Sequence, residues 1–246
     1  MSPLLSTAVL VGAQNRLLAS YRKTSYRGVL STILEPPPVQ YERPCTIVVA
    51  EDSGIYEESL SQGLRHVTDQ FGMSATQYTL PSSCASLEYA LQDMSRDLSN
   101  IQGAVLVARG PWISWQAQFY LESLPLAGLV MIDPISFDDR NGLNQYQLFI
   151  EKRNLLSTTE HHLFTDFVDN WGHWTLRLEA GSVPMLVVNT IQRPAFKRFA
   201  EITAHRHADS EGVYGKVPVA SLSQEGDSHV NDLLSVVCSW VDDVVI

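Results

Sequence analysis

The chain has 246 residues, 45% of them hydrophobic and 18% charged, with a formal net charge of −10. Such a size and balance fit one large globular α/β domain with a short extension. The acidic excess argues against nucleic acid as the main partner, because phosphate contacts need clustered Lys and Arg.

The first 34 residues differ from the rest. They carry Arg16, Arg22, Lys23 and Arg27 and no acid; the first acid is Glu35. They are also rich in Ser and Thr. A basic, hydroxyl-rich, acid-poor leader has the composition of a mitochondrial or plastid transit segment, with a solvated arm on a cytoplasmic protein as the alternative. A loose apolar face over residues 1–20 is compatible with a helix and with peripheral membrane association. Glu35-Pro36-Pro37-Pro38 reads as a stiff, extended linker. It divides the chain into an extension, residues 1–40, and a domain, residues 41–246.

Within the domain, strand and helix patterns alternate. Cys45–Ala50 reads as a strand, followed by Glu51-Asp52-Ser53-Gly54, where Asp52 or Ser53 is placed to cap a helix over about Ile55–Phe71 that Gly72 stops. Met73–Leu80 is a second strand and about Ala85–Leu98 a helix. Ala104–Ala108 and Leu126–Ile132 are short and apolar at nearly every position, as parallel strands covered on both faces should be. Between them lie the turn Arg109-Gly110-Pro111 and a helix over about Trp112–Ser123. Residues 135–182 hold two expected helices, about Leu143–Leu155 and Thr158–Leu178, in the place of a cap. A strand at Pro184–Asn189, a helix at about Ala195–His207 and a strand at Val217–Leu222 follow. The loop Gly226-Asp227-Ser228-His229 then leads into a closing helix, Val230–Val244. Repeated βα units of this kind give a doubly wound, mostly parallel sheet.

From Gly103 to Pro134 and from Gly226 to Val244 the chain resembles the α/β-hydrolase family, and the order of elements extends the resemblance over roughly residues 44–244. In that family the strand-to-helix turn carries Gly-x-Ser-x-Gly with the nucleophile on a sharp elbow. The resemblance puts Ala108 at the first glycine, Gly110 at the nucleophile and Trp112 at the last glycine. It puts His229 at the catalytic histidine. The acid position after Pro184–Asn189 has no carboxylate, which leaves Asp133, Asp138 or Asp139, after the preceding strand, as candidates. The oxyanion loop corresponds to Glu51-Asp52-Ser53-Gly54, where two carboxylates would repel a developing oxyanion.

Glycine has no side chain with which to attack. The expectation is therefore a hydrolase scaffold without hydrolase chemistry, with no catalytic residue and only vestigial positions at Gly110 and His229. Ser114 reads as a helical serine, and Ser53 as a cap. His161, His162, His173, His205 and His207 form no metal-ligand spacing. The cysteines, Cys45, Cys84 and Cys238, form neither a zinc motif nor a disulfide framework, so no metal or cofactor is expected. No run of 18 apolar residues exists for a transmembrane helix. With the basic leader, these features point to a structural or accessory subunit of a mitochondrial assembly, of respiratory or ATP-synthase type, contacting other subunits partly through residues 1–40. The alternatives are an active serine-type or His-dependent hydrolase, and a small-molecule or lipid-binding module. The aromatic residues Trp112, Trp115, Trp171 and Trp174 suit either a packed core or an interface.

Overall fold

The computed structural model describes residues 29–38, 41–52, 55–79, 87–121, 125–136, 139–153, 180–209, 216–222 and 229–246. Among these residues seven strands form one sheet: β1 (Val29–Leu30), β2 (Thr46–Glu51), β3 (Ser74–Thr79), β4 (Ala104–Arg109), β5 (Gly128–Ile132), β6 (Met185–Asn189) and β7 (Val219–Ser221). Their order is β1-β3-β2-β4-β5-β6-β7. All pairings are parallel except that of β1 with β3. The helices among the described residues are α1 (Leu64–Phe71), α2 (Leu87–Leu98), α3 (Pro111–Leu121), α4 (Arg140–Arg153), α5 (Pro194–His207) and α6 (His229–Val244).

The strands are apolar on both faces because both faces are covered. Every residue of β4, β5 and β6 is buried. Alternate side chains serve opposite layers, as the two-residue period of a strand requires. Val49, Val107 and Val130 pack with α1 and α6, through Leu64, Val67, Leu234 and Val237. Val48, Leu106 and Met131 pack with α2, α3 and α5, through Met94, Ile113, Ala117 and Ala200. A third cluster lies among α3, α4 and α5, built from Trp115, Phe119, Leu143, Tyr146, Phe196 and Phe199.

The helix α6 runs antiparallel to the strands. Val230 and Leu234 sit against Gly63, just before α1, and Trp240 and Val245 against Gly128, the first residue of β5. Thus α6 begins at the carboxyl edge of the sheet and ends at the amino edge.

Three expectations are corrected. The proline linker does not mark the start of the folded unit, because residues before it belong to the sheet. Val29 and Leu30 pair with Thr79 and Tyr78, and Leu34 exchanges backbone bonds of 2.8 and 2.9 Å with Ala75. The helix expected from Ile55 begins only with a 3-10 turn at Leu60–Gly63, capped by Ser59. The preceding residues are engaged elsewhere: the Glu58 carbonyl accepts a hydrogen bond from Arg109, and Tyr56 lies on the Arg109 guanidinium. Finally, α4 starts at Arg140 rather than Leu143, because Asp139 caps it. Its carbonyl accepts from the Leu143 N–H at 3.0 Å and its Oδ1 from the Gly142 N–H at 3.2 Å. The helix expected at Thr158–Leu178 lies outside the described residues.

Candidate functional site

The carboxyl edge of the sheet gathers the residues singled out by sequence. Gly110 sits between β4 and α3 with φ at +113°, a backbone region that only glycine enters without strain. Its N–H donates to the Ile132 carbonyl at 2.8 Å, and its carbonyl accepts from the Ser114 N–H at 3.0 Å. The turn is therefore tied to the next strand and to its own helix. Strand, turn and helix thus follow one another around a residue with no side chain.

Asp52 fills the space in front of that turn. Its backbone N–H donates to the Arg109 carbonyl at 2.9 Å, which extends the β2–β4 ladder by one residue. Its carboxylate then reaches across to α3, accepting from the Trp112 N–H at 2.8 Å and the Ile113 N–H at 3.0 Å. An anion on the first free amides of a helix is favoured by the local dipole. A Cβ added to Gly110 would stand 2.8 Å from the Asp52 Cβ and Cγ, a separation real Cβ atoms do not adopt. The residue after Gly110 is Pro111, which has no backbone N–H to offer at this turn. Asp52 was expected to cap the helix that follows it in sequence; it caps α3 instead.

Arg109, the last residue of β4, is 2% exposed. Its guanidinium lies 3.8 Å from the centroid of the Tyr56 ring and donates from Nη1 to the Glu58 carbonyl at 2.8 Å. Glu51 Oε2 is 3.7 Å away. Glu51 is itself held by the Leu60 N–H at 3.0 Å and by the Ser59 hydroxyl. The Tyr56 hydroxyl continues the network, donating to Asp133 at 3.2 Å.

Asp133 follows β5 with φ at +51° and is fully buried. It accepts from the Thr190 N–H at 2.6 Å, the Thr190 hydroxyl at 2.5 Å and the Ile191 N–H at 3.1 Å. Burial pushes its carboxyl above the usual range, while these bonds pull the other way. It binds the ends of β5 and β6 together. Among the described residues no hydrogen bond joins it to His229. His229 opens α6, where the resemblance placed it. Burial, then the Arg109 charge, lowers its pKa, which favours the neutral imidazole. Among the described residues its buried Nε2 has no hydrogen-bond partner, nor has Nε of Arg109.

The remaining candidates divide. Asp139 is the α4 cap and is bridged to Arg198 at 2.8 Å, away from His229 in its bonding. Asp138, Ser53, Gly54, His161, His162, His173, Trp171 and Trp174 lie outside the described residues. Ser114 donates to the Ala108 carbonyl at 3.0 Å from inside the helix. His207 is buried on Gln118 at 2.9 Å. Trp112 and Trp115 stack with ring centroids 5.2 Å apart. Among the described residues no three His, Cys, Asp or Glu side chains cluster as a metal site. Tyr56 and Thr190 were not singled out by sequence. Neither belongs to a motif: Tyr56 is 77 positions from Asp133, and Thr190 is 57 positions from it.

The sequence matches no family model and no curated protein. Solved structures do match. MenH from S. aureus aligns over 86% of this chain and 97% of its own, with a TM-score of 0.59 and 12% identity. The chain has the α/β-hydrolase fold. Two further structures with that fold agree: an esterase domain from Rhodothermus marinus (TM-score 0.57, 12% identity, 87% and 92% of the two chains), and a soluble variant of monoglyceride lipase from Saccharomyces cerevisiae with a substrate analog (TM-score 0.56, 10% identity, 91% and 94%). At such identities the α/β-hydrolase fold is shared while the chemistry must be argued from the site itself.

Proposed function

We propose that this protein is a catalytically silent α/β-hydrolase-fold protein that serves as an accessory subunit of a larger mitochondrial assembly. The observation that carries the first half is the Asp52 carboxylate seated on the amides of Trp112 and Ile113, against Gly110. Acyl transfer on this fold needs an oxygen nucleophile, an imidazole within reach of it and an oxyanion hole. At the elbow the chain offers glycine for the first and proline for an N–H of the third, and it places a fixed negative charge where negative charge would develop. Losing a triad nucleophile alone costs around a million-fold in turnover. The second half rests on the leader, basic and free of acids up to Glu35. Its lysine and arginines suit transit or an acidic partner surface, and an inner-membrane respiratory or ATP-synthase-type complex is the assembly this reading favours.

The test pairs chemistry with size. The expected outcome is no labelling by a fluorophosphonate probe, no turnover on a panel of acyl esters, and native migration far above the monomer from mitochondrial extracts. Labelling abolished by a single Ser→Ala change, or a free monomer in every extract, overturns the corresponding half. A second reading, a small-molecule or lipid-binding module, draws on two buried nitrogens that have no partner among the described residues, Arg109 Nε and His229 Nε2. A co-purified ligand whose release follows Arg109→Met would favour it.

A further inference from the structure

The amino edge of the sheet, opposite the candidate site, carries a crevice of about 310 Å³ lined by Tyr41, Arg43, Gln70, Phe71 and Asp242. That volume is at the small end for a ligand pocket and suits one side chain or one small molecule. Two helices end on it: α1 closes at Phe71 and α6 at Val244, and their last turns supply Gln70, Phe71 and Asp242. The carboxyl end of a helix is the negative end of its dipole, where Lys, Arg or His is favoured. The last turn of α2 has Arg96, and that of α5 has His205, Arg206 and His207. The last turns of α1 and α6 have no basic residue. One cation reaches them from outside. Arg43 Nη2 lies 3.3 Å from Asp242 Oδ2, and the Arg43 backbone N–H donates to the Gly72 carbonyl, just past α1, at 2.8 Å. Against this one guanidinium stand Asp242 and three exposed carboxylates next in sequence to lining residues, Glu42, Asp69 and Asp243.

We propose that this crevice binds an organic cation, an alkylammonium or guanidinium group, with its charge on Asp242 and the two helix ends and its stem on Tyr41 and Phe71. Asp242 has acceptor capacity left: its Oδ1 has no hydrogen-bond partner among the described residues. Rotation about the soft Cβ–Cγ torsion turns that oxygen towards the crevice. The rings are in place. Tyr41 is 79% exposed, and Phe71 is half-buried, with its centroid 5.7 Å from that of His66 in an edge contact. Aromatic faces attract such cations, and the aliphatic stems of Lys and Arg cover apolar surface. An anion would gain Arg43 but meet the carboxylates and the negative ends of both helices. A Lys or Arg side chain of another protein and a free polyamine present the same chemistry here. The proposal is independent of whether the carboxyl edge is catalytic.

The experiment titrates the full, isotope-labelled chain and follows backbone amide shifts by NMR. Agmatine is the free-cation probe and Nα-acetyl-arginine amide the side-chain probe. Both are expected to give saturable shifts confined to residues 41–43, 70–72 and 242–246, with a Kd of roughly 0.1–5 mM. The tighter of the two assigns the source, a free polyamine or a protein side chain. N-butylurea, which has the shape of a butylguanidinium without its charge, should shift nothing at the same concentrations. Tyr41→Ala, at an exposed position, should weaken binding at least about threefold, and Asp242→Asn at least about tenfold. Should Asp242→Asn not fold, Tyr41→Ala and N-butylurea decide. The proposal is overturned by the absence of saturable shifts up to about 20 mM probe, by equal shifts with N-butylurea, or by unchanged affinity in Tyr41→Ala.

Discussion

Asp52 stands where a side chain on Gly110 would stand. The two residues come from neighbouring strands, and the carboxylate of one completes the helix that the other begins. A serine at 110 would have to displace Asp52 and to adopt a φ of +113°. Gly110→Ser is expected to cost about 3 kcal/mol, from backbone strain and overpacking together. It should also leave the protein blind to fluorophosphonate probes. Urea denaturation and in-gel labelling check both. A stable, labelled variant would show that the elbow is intact after all.

The same contact predicts non-additivity. Asp52→Gly alone removes the cap on α3 and should destabilise by about 1–2 kcal/mol. Adding Gly110→Ser to it should cost at least about 1 kcal/mol less than in the wild-type background, because the clash is gone. A double-mutant cycle of unfolding free energies reads this directly. Strict additivity would mean that Asp52 does not obstruct the turn.

Arg109 is the cation at the centre of the buried network. Replacing it with methionine keeps much of its volume but removes the cation beside Glu51 and the donor to the Glu58 carbonyl. The expected loss is about 3 kcal/mol, with little recovery in Arg109→Lys, since an ammonium cannot lie flat on Tyr56 while reaching the carbonyl. Denaturant titration of the three proteins gives the comparison.

Stability should fall in mild acid through His207. Burial lowers its pKa from 6.5 to about 4. The unfolded chain therefore binds the extra proton first, and stability is lost as pH drops from about 6.5 towards 4. The group contributes at most about 3 kcal/mol over that window. His207→Gln should flatten this part of the stability–pH curve while costing little below pH 4. An unchanged slope would assign the acid sensitivity to other groups.

The course of the sheet was legible because β4, β5 and β6 are apolar at nearly every position and buried at all of them. The turn at Gly110 and the placement of His229 at the head of α6 were legible too, since both follow from the order of strands and helices. Side-chain bonding was not. Asp133 was a candidate acid by position, yet its oxygens hold Thr190 and Ile191, and no local spacing encodes that. Asp52 was read as the cap of the nearest helix, but its amides belong to a helix 60 positions away. Tyr56 fell within a stretch whose pattern suits a helix, and a tertiary contact with Arg109 overrides that preference. β1, only two residues long, has no period to detect.

That two-residue strand sets a limit on how the chain can be trimmed. A protease that cuts before Val29 leaves the seventh strand on the sheet and the Leu34–Ala75 bonds in place. One that cuts in the proline segment removes them and bares the β3 edge, together with the Thr76 hydroxyl now bonded to Ser31. Truncation from the amino terminus thus has a fixed downstream bound, at Val29, in the hydrogen bonding of the sheet.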